Sequence, residues 1–407
     1  MDCIRQSVVN RHSALSPVKQ TEPMNISWID SDSDLSVLLG EMSGCSRYAM
    51  DTEFHRERTY FPQLALIQIK HNNKIFLIDP TAVNLQLFTD LFASDSLCVL
   101  HAAQQDLEVL NHACGSAPSR IFDTQVAAGF VGMSTPSLSS LVLSELKISI
   151  SKGDRLTDWL RRPLTADQKT YAATDVEHLF SIQDNLETRL IELERLDWVN
   201  EACEELRVRP AGPVDPSDAW LRVKEARALK GPARGVAKAV CEWRERKAMA
   251  ADIPPRRVLS DIAILGIAQI VPATTEDLLK ARGVEHRQIG GEVGRELLAA
   301  VDRGKALVVS LPQIENDDVD KELRPAVGLI TAWMSELART HHIDATLLGT
   351  RNDILALLRK SPQGRLSVGW RAEMVGKDIE RILSGEAGLS FNGHGRLRLL
   401  PTNNPTI

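Results

Sequence analysis

In Tyr48-Ala-Met-Asp51-Thr-Glu53-Phe54, two carboxylates stand two residues apart inside a largely apolar run. On an extended chain that spacing puts Asp51 and Glu53 on one face. Such a pair can hold a hard cation, or it can mark a strand end that faces water. A third acid, Asp106, follows the apolar run that ends in Val99-Leu-His101 and opens a helix-like stretch, a place the helix dipole favours with no chemistry attached. In Tyr171-Ala-Ala-Thr-Asp175, a phenol and a carboxylate are four residues apart and so share one helical face. Each signal is weak alone. Together they supply four carboxylates and a tyrosine from a strand and two helices, elements that can converge at one edge of a sheet. Four like charges repel unless cations lie among them. Two-metal phosphoryl transfer makes that demand, with ions roughly 3.5 to 4 Å apart clamping the attacking and leaving oxygens.

Other chemistries lack their residues. The chain has no GxxxxGK[ST] phosphate loop, no GxGxxG after a strand, no HExxH and no GxSxG. His101, His112 and His178 stand singly, without zinc-finger spacing. The six cysteines lie far apart with no CxxC pair, which suits reduced, mostly buried thiols. The net charge of −6 is unusual for a nucleic-acid binder, but clustered carboxylates that bind cations contribute negative charge which the ions cancel.

Short apolar runs at 47–54, 64–70, 75–78 and 97–101 read as strands of one sheet. Helical patterns follow at 106–113, 124–131 and 138–146, then in a long stretch from 165 toward 207. Strands first and helices after predict an α/β domain whose sheet is covered by helices. The segment 209–217 holds three prolines and a glycine, which is linker composition. Beyond it, helical periodicity at 219–230, 235–250, 260–270 and 275–280 predicts an all-helical module. A second is expected after a loop at 305–322, with helices from 324 to 337, 345–348, 352–358 and 370–383. With 407 residues, 43% hydrophobic and 25% charged, the chain is expected to fold as several globular domains. The expected division is a disordered tail at 1–25, a catalytic domain at 26–207, and helical domains at 215–297 and 310–402. No window approaches a membrane-spanning length of apolar residues and the N-terminal stretch lacks a signal-peptide core, so a cytoplasmic location is expected.

These residues resemble the DEDD exonucleases, in the subclass with tyrosine in the third motif. Asp51 and Glu53 match the first motif, Asp106 the second, and Tyr171 with Asp175 the third. The stretches DTEFHRERTYFPQLALIQI, LHAAQQDLEVL and KGDRLTDWLRRPLTADQKTYAATDV are similar, more narrowly, to ribonuclease D. Residues 217–297 resemble the HRDC domain, a helical nucleic-acid-binding module shared with RecQ helicases, and 325–400 resemble a second domain of that kind. The resemblance implies a ribonuclease H-like catalytic fold, 3′→5′ hydrolysis of RNA to nucleoside 5′-monophosphates, and transfer-RNA precursors or other structured RNA 3′ ends as substrates. It further implies two Mg²⁺ or Mn²⁺ ions bridged by Asp51, with Glu53 and Asp175 completing one site and Asp106 supporting the other. Tyr171 would orient the attacking water, since a phenol with a pKa of about 10 is a poor base at neutral pH. No organic cofactor, no membrane and a monomer as the simplest assembly are expected.

Phe54 is expected either to stack on the terminal base or to belong to the core, and His101 to approach the substrate backbone. The basic excess of the first helical module, which includes Arg234 and Lys238, reads as an RNA-backbone surface or as a solvated helix face. A DNA exonuclease or repair factor, and a catalytically inactive nucleic-acid-binding scaffold, are the alternative functions.

Overall fold

The computed structural model describes residues 24–150, 157–210, 212–213, 215–310, 317–361 and 364–402, so the expected tail at 1–25 lies almost wholly outside the described residues. A six-stranded mixed sheet dominates the first half, built from β1 (Ile26–Ile29), β2 (Arg47–His55), β3 (Gln63–His71), β4 (Lys74–Ile78), β5 (Leu97–Leu100) and β6 (Ile121–Asp123). The spatial order is β1-β4-β3-β2-β5-β6. β2, β3 and β4 form an antiparallel meander, while β1, β5 and β6 join it in parallel. β1 and β6 were not expected as strands: Ser27 interrupts the apolar run of β1, and β6 is three residues long.

Helices α1 (Asp32–Glu41), α2 (Thr89–Ala93), α3 (Gln104–Cys114), α4 (Thr124–Gly129), α5 (Leu138–Leu146), α6 (Ala166–Glu177), α7 (Leu179–Glu192) and α8 (Leu196–Arg207) surround the sheet. The long helical stretch expected from 165 to 207 is thus three helices. Its breaks fall at His178, which ends α6, and at Glu194, which adopts the left-handed conformation (φ 57°) before α8.

The next unit holds α9 (Gly231–Ala251), α10 (Pro255–Val258), α11 (Asp261–Ile270), α12 (Thr275–Lys280) and α13 (Glu292–Lys305). The segment 219–230, expected as α-helix, forms 3₁₀ turns at Pro216–Arg222 and Ala226–Ala228. Its buried residues are Ala219, Trp220, Val223 and Ala226, a spacing that an α-helix and a 3₁₀ turn both allow. The last unit holds α14 (Asp317–His341), α15 (Ala345–Leu348), α16 (Arg351–Leu358), α17 (Gly369–Arg371) and α18 (Lys377–Leu383), with a π-turn at Ala372–Gly376 between the last two. α14 occupies part of the stretch expected as loop. Pro325, inside it, removes one backbone donor without ending the helix. A β-hairpin, β7 (Ala387–Phe391) and β8 (Leu397–Pro401), closes this unit around Asn392-Gly393, where Asn392 Oδ1 accepts from the His394 and Arg396 amides.

Two hydrophobic cores hold the chain together. One, including Trp220, Val240, Ile264 and Leu297, is confined to residues 219–301. The other runs without interruption from the sheet through α8 into residues 327–379. There Trp370 stacks on Trp198 at 5.0 Å and meets Phe130 edge-on at 5.2 Å. Arg371, 1% exposed, reaches Glu205 at 2.5 Å and the Leu347 carbonyl at 2.8 Å. Arg195 donates to the Phe130 and His341 carbonyls. The last unit is therefore packed on the sheet domain as part of its core.

Candidate active site

β2 is central in the sheet and pairs with β3 on one side and β5 on the other. Asp51 and Glu53 project from one face of it, just before a register shift between Glu53 and Phe54. α6 brings the other two groups. It starts at a capping box in which Thr165 and Gln168 satisfy each other's backbone donors, and it lies across β3 and β4. One ligand oxygen from each of Asp51, Glu53 and Asp175 lies within 4.8 Å of the other two. Tyr171, one turn before Asp175, stacks against Trp159 at 6.0 Å.

Asp106 stands outside that mutual distance, in the first turn of α3, and accepts a hydrogen bond from the buried Thr52 hydroxyl. The turn that presents it is organised by Asp123. The Asp123 carboxylate accepts from the backbone of Ala102 and Ala103 before α3 and from Gln125 and Val126 in α4. Thr52 and Asp123 were not singled out in the sequence. Asp123 directly precedes a helical run, an N-cap signal that was available. A further support is the Asp79–Arg162 pair. Arg162 donates to both Asp79 oxygens and to the carbonyls of Ala65 and Trp159, fastening the segment before α6 to the end of β4.

The electrostatics are those of crowded acids. Burial and then Asp106, Asp175 and Glu53 hold the Asp51 carboxyl well above its ordinary range. Burial, with Asp175 and Asp106, lifts Glu53 from 4.5 to about 8. Burial also lifts Asp106 and Asp175 to about 7, although the Thr52 and Tyr171 hydroxyls oppose the change. Burial and the neighbouring carboxylates push the Tyr171 phenol up, so it stays protonated at neutral pH. Such a cluster gains stability from cations placed among its oxygens. An all-oxygen donor set suits hard divalent ions, so these residues fit metal binding.

Comparisons with known proteins show the family. The family described as "3'-5' exonuclease" matches residues 26–191, and the HRDC domain family matches 233–301. The chain is 34% identical to ribonuclease D of Acidiphilium cryptum over 377 residues, covering 90% of this chain and 95% of that protein. It is 35% identical to ribonuclease D of Jannaschia sp., covering 84% and 92%. Among solved structures, Escherichia coli RNase D, "an exoribonuclease involved in structured RNA processing", is 30% identical with a TM-score of 0.80, covering 89% of this chain and 99% of that one. The chain belongs to the ribonuclease D family. As a ribonuclease D-type enzyme it is a hydrolytic 3′→5′ exoribonuclease, acting on RNA with divalent metal. Among the described residues, no helix is long and apolar enough to cross a membrane.

The residues expected to contact RNA in this ribonuclease D-type chain have mixed surroundings. Phe54 is half-buried against the core, with the Arg56 guanidinium 5.3 Å from its ring centroid. His101 is largely buried, with Nδ1 2.9 Å from the Thr124 hydroxyl. Arg234 donates to the carbonyls of Leu229, Val309 and Arg227, so its guanidinium is committed to holding α9 in place. Lys238 is half-buried on α9. Part of the module's basic excess is internal: Arg244 is buried against Asp261, and Arg246 and Lys247 pair with Glu242 and Glu296. Arg222, Lys224, Lys230, Arg256 and Arg257 remain exposed and form no ion pair among the described residues.

Proposed function

We propose that the protein trims the 3′ ends of structured RNA, transfer-RNA precursors included, at a site where Asp51, Glu53, Asp106 and Asp175 hold two Mg²⁺ or Mn²⁺ ions. The observation that carries this reading is the convergence of Asp51, Glu53 and Asp175 within 4.8 Å, with Tyr171 beside Asp175. When bound, the ions neutralise the scissile phosphate and lower the pKa of the attacking water. Asp51, whose carboxyl is raised by Asp106, Asp175 and Glu53 alike, would be the ligand shared between the ions. Tyr171 keeps its proton, so it orients the water by hydrogen bonding and does not remove the proton itself. Water oxygen bonds to the terminal phosphorus, the 3′ oxygen of the penultimate nucleotide leaves and takes a proton, and a nucleoside 5′-monophosphate is released. Phe54, next to Glu53 on β2, offers its ring to the terminal base.

The units 26–207, 215–297 and 310–402 are proposed as the domains of this enzyme, the second gripping the RNA body. Supporting that role, a cleft of about 480 Å³ between the sheet domain and α9–α10 is lined by Arg56, Phe61, His112 and Arg222. Its two walls are tied together: Tyr60 donates from its hydroxyl to Glu245 at 2.7 Å, and the Tyr60 and Phe61 amides donate to Asp252.

The test is incubation with a 5′-labelled transfer-RNA precursor and the matching single-stranded DNA, with Mg²⁺, Mn²⁺ or chelator. A metal-dependent ladder shortening from the 3′ end of RNA alone supports the reading. Equal trimming of DNA, or binding without cleavage, refutes it in favour of a repair nuclease or a scaffold.

A further inference from the structure

Gln68 on β3 is fully buried, and neither its amide oxygen nor its amide nitrogen has a hydrogen-bond partner among the described residues. Burying an amide without partners is costly, and an apolar side chain of the same size would pack there at no such cost. The position of Gln68 shows what the amide serves. In the β2–β3 ladder it is the direct cross-strand partner of Asp51, so the two side chains leave the sheet on the same face with their Cβ atoms adjacent.

α6 covers that face. Two residues along β3 on the same side, Lys70 donates to the Glu177 carbonyl at the end of α6 and faces the Glu177 carboxylate at 3.4 Å. Gln68 therefore sits beside Asp51 on the face covered by the helix that carries Tyr171 and Asp175. On its other side it pairs with Leu77 of β4, fully buried and apolar, which can satisfy nothing with its side chain. Asp106 already shows the same construction, since its carboxylate is held by the neighbouring buried hydroxyl of Thr52.

We propose that Gln68 is a positioning residue of the carboxylate site. Its amide nitrogen donates to the Asp51 carboxylate in the ionised, cation-binding state and so sets which Asp51 oxygens face the ions. Side chains that orient a ligand from behind in this way typically govern about 10- to 100-fold in metal affinity. The inference rests on the assignment of Asp51 as a metal ligand.

The experiment compares wild type, Gln68→Met and Asp51→Asn by calorimetric titration with Mn²⁺, alongside thermal unfolding in chelator. Methionine keeps the length of the side chain and removes both polar atoms. The expected result for Gln68→Met is Mn²⁺ affinity lowered about 10-fold or more, with a melting midpoint equal to or above that of wild type. Wild-type affinity in Gln68→Met, or affinity lost only together with a lowered melting midpoint, overturns the positioning role. Asp51→Asn separates the two readings: unchanged Mn²⁺ binding there refutes the ligand assignment itself, whereas its loss beside a normal Gln68→Met refutes the role of Gln68 alone.

Discussion

Replacing Glu53 with glutamine should make the metal-free protein more stable, by an amount that grows with pH. In the folded chain the Glu53 carboxyl titrates at about 8 against an ordinary 4.5. The folded state thus holds a proton that the unfolded chain gives up, and above pH 4.5 ionisation favours unfolding. The cost is nearly absent below pH 4.5, accumulates as pH rises, and is complete above about 8. At about 1.4 kcal/mol per tenfold change in proton affinity, linkage gives a wild-type disadvantage of about 1 kcal/mol at pH 5 and about 4 kcal/mol at pH 8. Glutamine carries no such charge. Urea unfolding of both proteins in chelator, from pH 5 to pH 8, should therefore show a stability difference widening by about 3 kcal/mol in favour of Glu53→Gln. Mn²⁺ should shrink or reverse the difference, because the ions stabilise the ionised wild-type cluster and find one ligand fewer in the variant. A difference that stays flat with pH in chelator, or that favours wild type at pH 8, would refute the picture of carboxylates crowded together in wait of cations.

Asp51→Asn should reduce RNA hydrolysis to background while leaving RNA binding nearly intact in a filter or gel-shift assay, since it removes metal-binding charge and little volume. Tyr171→Phe deletes one hydroxyl from a ring still stacked on Trp159, so kcat should fall about 100-fold with KM little changed in steady-state kinetics. Arg371→Ala should cost about 3 kcal/mol in urea unfolding, the lower end for breaking a buried ion pair, because Glu205 keeps 31% exposure and a second partner in Arg365.

The site was more legible in the sequence than its supports. A carboxylate spacing of two on a strand and a phenol–carboxylate spacing of four on a helix survive folding unchanged, because each is a local periodicity. The strand runs of β2 to β5 were long enough to show as apolar blocks, and α9 and α11 carried their own helical period. What could not be read was held by long-range partners. Thr52 matters because α3 arrives beside it, and Gln68 because β2 puts Asp51 opposite. Nothing near Arg234 marks its guanidinium for the Val309 carbonyl, 75 residues away. The stretch 219–230, expected as one helix, is broken into two 3₁₀ turns. The helix from Asp317 starts inside the stretch expected as loop, and Pro325 lies within it.

The core shared by the sheet domain and residues 327–379 bears on how the chain is made. A ribosome releases the catalytic half first, and domains generally fold as units in that order. Here the sheet unit emerges with Phe130, Trp198 and Glu205 still waiting for Trp370 and Arg371. The nuclease half therefore reaches its full packing only when nearly the whole chain has been synthesised. A truncated product that keeps Asp51, Glu53, Asp106 and Asp175 would still lack the part of the core that Trp370 and Arg371 complete.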